Sequence, residues 1–68
     1  MPNFSKIKGR IVEIFGTQEK FSEAIGLSPQ TVNAKLQGRS EFSQKDIYKW
    51  AVALQIKSED IGSYFFVF

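Results

Sequence analysis

The sequence predicts a small all-α domain of four or five helices, and three observations predict it. Apolar residues recur at three- and four-residue spacing through most of the 68 residues. Thr17, Ser28 and Ser43 each stand just before such a run, where a hydroxyl can cap a helix N-terminus. Gly16 and Gly26 follow the first two runs directly, as stop signals. No convincing strand pattern arises before the last residues.

The first helix is expected over about 4–15, with Phe4, Ile7, Ile11 and Ile14 as its apolar stripe. Gly9 in its interior costs about 1 kcal/mol relative to alanine, which implies close packing against another helix. Arg10 and Glu13 stand one turn apart and can pair. In the second helix Thr17 is the N-cap, Glu19 meets the positive end of the helix dipole, and Phe21, Ala24 and Ile25 face inward. Gly26 can take the left-handed conformation that ends it. Ser28 and Pro29 restart the chain, as N-cap and first helical residue. Leu27 and Val32 can close as a hydrophobic staple that fixes the angle between the two helices. Val32 and Leu36 form the buried stripe of this third helix, and Gln30, Thr31, Asn33, Ala34 and Gln37 are left on its other faces.

Residues 37–42 read as a polar loop. Ser43 and Asp46 form a capping box, with Phe42 and Ile47 as a second staple. Ile47, Trp50, Ala51 and Leu54 follow as the buried stripe of the fourth helix. Ser58, Glu59 and Asp60 open a short fifth helix that ends near Gly62. The chain reads as one domain, 1–68, with a helix-turn-helix at about 17–37 and an apolar tail at 63–68.

Two short helices around a glycine turn, the second with a polar outer face, can set a recognition helix in the major groove of DNA. The chain resembles the phage Cro- and repressor-type helix-turn-helix family, above all small Cro-like proteins of Gram-positive phages and prophages. The resemblance rests on residues 16–21, 25–28, 31–36, 41–43 and 63–66, and it spans nearly the whole chain. It implies a compact lambda-repressor-like domain that binds operator DNA as a repressor. It also implies that Gln18 touches phosphate and braces the recognition helix. The start of the third helix would read bases, beginning at Gln30 because Pro29 has no polar side chain. The following loop, with Arg39 and Ser40, would touch the backbone.

Side-chain chemistry is compatible with those roles. Gln30 and Asn33 can pair with adenine, and the Thr31 methyl and Ala34 can pack on a thymine methyl. Lys35, Arg39 and Lys45 suit phosphate, and Ser28 and Gln37 at the ends of the third helix join them as backbone contacts. The plain alternative is that Gln30 and Asn33 are ordinary solvent-facing residues.

Charge is distributed unevenly. The net charge is only +2, but residues 1–16 and 28–45 each net +2 while 17–27 and 46–68 each net −1. There is no cysteine or histidine, no phosphate-binding glycine loop and no clustered set of carboxylates, so neither an enzyme nor a metal or cofactor site is expected. No apolar run approaches a membrane span and no signal-peptide pattern is present, which predicts a cytoplasmic protein with no membrane or small-molecule partner. In the tail, Tyr64, Phe65, Phe66 and Phe68 are hard to bury in one small monomer, which predicts a homodimer contact. A second function class stays open: an antirepressor-like module that uses the same fold to bind another regulator. The carboxylate-free face of the third helix favours DNA, and the aromatic tail favours a protein partner.

Overall fold

The computed structural model describes residues 3–66. It contains α1 (Ser5–Phe15), α2 (Gln18–Ile25), α3 (Pro29–Leu36), α4 (Gln44–Ala53), a 3-10 turn (Ser58–Asp60) and α5 (Ile61–Phe65), with no strand among the described residues. The capping chemistry explains the boundaries. Thr17, Ser28 and Ser43 each accept a hydrogen bond from the backbone N–H three residues on, at Lys20, Thr31 and Asp46. The Asp46 carboxylate completes the box by accepting from the Ser43 N–H. Gly26, at φ +72°, is the left-handed residue that ends α2 and turns the chain towards α3.

α1 packs on α2, α2 on both α3 and α4, and α5 closes against α1 and α4, in a body of 25 × 24 × 21 Å. The core comprises Phe4, Ile7, Ile11, Phe21, Ile25, Val32, Leu36, Trp50, Ala51, Leu54 and Phe65. Aromatic rings fill its centre. Phe42 meets Phe4, Trp50 and Phe65 edge-on at centroid distances of 5.3, 4.8 and 5.2 Å, and Phe21 meets Trp50 at 4.8 Å. These are the favoured geometries for ring quadrupoles.

Four expectations are corrected. Ala24 is exposed, and Ser22 is buried in its place with its hydroxyl donating to the Gln18 carbonyl at 2.7 Å. That intrahelical bond lets a small polar residue sit in the core without an unpaired group. Gly9 is exposed and nothing beyond its own stretch of helix lies within 4 Å of where its Cβ would stand, so close packing does not account for it. Gly62 lies inside α5 and does not end it, because its φ is not positive. The ring of Phe65 is core and not surface.

Candidate functional site

α2 and α3 meet across Gly26 and leave a shallow groove between their N-terminal ends. It is lined by Thr17, Gln18, Glu19, Pro29, Gln30 and Asn33. Gln30 and Thr31 are exposed, and Asn33, Ala34 and Gln18 are half-buried. The structure brings Gln18, Gln30 and Asn33 to one groove. Glu19 was missed as a member of this site. Its place in the first turn of α2 favours the helix dipole, and the same place puts a carboxylate at the groove.

The outer side of α3 is knitted together by its own hydroxyls and amides. The Ser28 and Thr31 hydroxyls lie 2.8 Å apart, and the Gln37 side-chain amide donates to the Asn33 side-chain Oδ1 at 3.4 Å. Gln37, Arg39 and Ser28 are exposed and Ser40 is half-buried, all at the ends of this helix.

Lys35 overturns its predicted role. It is the one cation of α3, and it is buried at 8% exposure. Its ammonium donates to the Glu41 carbonyl at 3.0 Å and to the Asp46 carboxylate at 2.9 Å. It also lies 5.8 Å from the centre of the Phe42 ring. A lysine held this way joins α3 to α4 and has no charge to offer a phosphate. Burial alone would raise the Asp46 pKa. The Lys35 bond and the bonds from Ser43 outweigh it and hold the carboxyl below its ordinary value.

The tail is corrected in the same direction. Phe65 is buried, and Tyr64 is half-buried with the Lys6 ammonium 4.5 Å over its ring. Lys6 also donates to the Ser63 hydroxyl at 3.0 Å, so the start of α5 is tied to α1. Only Phe66 of the predicted contact is exposed among the described residues, and Phe68 lies outside them. Among the described residues no helix is long and apolar enough to cross a membrane, and no metal-holding group of carboxylates is found.

Comparison with known proteins decides the family. A family model described as "Protein of unknown function (DUF739)" matches residues 2–67. The chain belongs to the DUF739 family. Its fold is similar to the solution structure of the modulator of repression (MOR) of the temperate bacteriophage TP901-1 from Lactococcus lactis. The two share 37% identity at a TM-score of 0.85, over 96% of this DUF739 chain and 88% of that one. No curated protein sequence matches.

These matches correct the resemblance to Cro and repressor proteins. The membership is DUF739, and the similar structure is named for modulating repression and not for repressing. The expectation of a DNA-binding Cro-like repressor falls with it. The physical reason is that capped helices around a glycine turn specify a shape, and one shape serves different binding chemistries. A polar α3 face suits DNA only with a free cation beside it, and Lys35 is buried against Asp46.

Proposed function

We propose that this chain modulates repression by binding a transcriptional repressor protein, with the outer face of α3 and the adjoining groove as its contact surface. The observation that carries the reading is the likeness to a phage modulator of repression at 37% identity over 96% of the chain. The chemistry of the face supports it. α3 offers neutral hydrogen-bonding side chains, Gln30, Thr31 and Asn33, and its one lysine is consumed internally. Glu19 adds a carboxylate at the groove, which repels phosphate and suits a polar or basic protein surface.

The test is calorimetric titration of the purified repressor encoded nearest the chain's own gene, with light scattering to read stoichiometry. Saturable binding is expected, weakened about tenfold or more by Gln30→Ala with Asn33→Ala. No binding to that repressor, together with tight and sequence-preferring binding to duplex DNA, would overturn the proposal. The mass of the free chain in the same experiment decides whether the tail, through Phe66, also holds two copies together.

A further inference from the structure

α4 turns a second, chemically different face to solvent. Lys45, Tyr48, Lys49 and Val52 lie within a sector of about 100° along about 10 Å of helix. They stand opposite the side that buries Trp50, Ala51 and Leu54. Tyr48 is 73% exposed and Val52 61%, two of the four large apolar side chains left exposed among the described residues. Neither lysine makes an ion pair or a side-chain hydrogen bond among the described residues. Asp46, the only carboxylate on α4, is turned away to Lys35. The stripe is therefore cationic and apolar with no acid in it.

We propose that the Lys45–Tyr48–Lys49–Val52 face of α4 is a second docking surface, taking an acidic helical segment of a partner protein whose carboxylates run along one side of an apolar ridge. Charge complementarity selects the acid: two free ammoniums, one turn apart, run along one side of the apolar pair, and opposite potentials steer and register such contacts. The Tyr48 ring and the Val52 methyls select a protein over a nucleic acid. Exposed apolar side chains leave water for an apolar counterpart, and Val52 has nothing to offer a phosphate. Two cations alone also give little counterion release on a duplex.

The test is nuclear magnetic resonance of the 15N-labelled full chain titrated with a helical peptide of about 20 residues. Its glutamates stand at i and i+4 beside a leucine ridge. Controls are the same peptide with every glutamate replaced by lysine, and a duplex DNA of unrelated sequence. Saturable shifts are expected at Lys45, Tyr48, Lys49 and Val52, weakened about tenfold or more by Lys45→Glu with Lys49→Glu. Tyr48→Ala should weaken binding as well, with the remaining spectrum unchanged in both variants. Four outcomes overturn the proposal: no saturable shifts, equal response to the lysine peptide, shifts on α4 produced more readily by the duplex, or shifts that track the chain's own concentration. No repressor is used, so this test succeeds or fails apart from the reading of the α3 face.

Discussion

Gly9 occupies the exposed middle of α1, and beyond its own stretch of helix no atom lies within 4 Å of where its Cβ would stand. A helical glycine with nothing to accommodate only loses entropy on folding. Gly9→Ala should therefore stabilise the chain by about 0.5–1 kcal/mol. In a domain of this size that raises the thermal midpoint by about 2–8 °C, read by circular dichroism. A lower midpoint would mean that the site carries a constraint the geometry does not contain. The sequence argument for close packing at Gly9 shows a general limit. A glycine is legible as a cost, but what it makes room for is not. Residues whose reason is local were legible: Thr17, Ser28 and Ser43 cap their helices and Pro29 opens α3 as expected, and Arg10 pairs with Glu13. Ser22 and Ala24 lie about 200° apart on α2, each beside one edge of the Phe21–Ile25 stripe, and spacing alone does not say which edge the core covers. The core covers the Ser22 edge, and the hydroxyl bonded to the Gln18 carbonyl lets a polar residue lie there.

Between elements, the decisive contacts are polar ones that join distant segments. Arg10 of α1 donates to the Leu54 and Gln55 carbonyls at 2.8 and 3.2 Å, satisfying the C-terminal end of α4 where Gln55 takes a φ of +55°. Lys35 and Asp46 do the same work between α3 and α4, and the carboxylate also closes the capping box. Asp46→Asn leaves the Lys35 ammonium buried without a counter-charge. With Asp46 itself partly solvated, the loss should be about 2–3 kcal/mol at neutral pH. The pH dependence follows from the lowered pKa of Asp46. A carboxyl held below its ordinary 3.8 stabilises the fold above that value and loses the contribution as pH falls through its folded value. Urea unfolding of both proteins at neutral pH and again well below 3.8 should show the gap narrowing in acid. A gap unchanged by acid would remove the ion pair as its cause. The capping box was legible in sequence, but the Lys35 pair was not, because a lysine on a helix with a polar outer face reads as solvated until its partner element is placed beside it.

At the scale of the whole molecule, fold and function separate. Periodicity and caps specify four or five helices, since each signal is local and each agrees with the next. Function depends on what the assembled surface has left to offer. Of the predicted DNA contacts on α3, the cation is buried, the hydroxyls are bonded to each other, and the exposed remainder is neutral. The cations left free lie on other elements, Lys45 and Lys49 on α4 among them. The two proposed surfaces should therefore answer differently to salt. Binding of a repressor through Gln30, Thr31 and Asn33 gains little from long-range attraction. Its dissociation constant should change by no more than about threefold as ionic strength rises from about 0.05 to 0.3 M. An acidic helix on α4 is held by exposed charges that a Debye length of about 8–10 Å largely screens, so its affinity should fall by about tenfold or more across the same range. Calorimetry of the repressor and resonance titration of the peptide, each at several salt concentrations, measure the two slopes. A repressor affinity that falls steeply would put exposed charges at that interface, and the neutral side chains of α3 could then not be its main contacts.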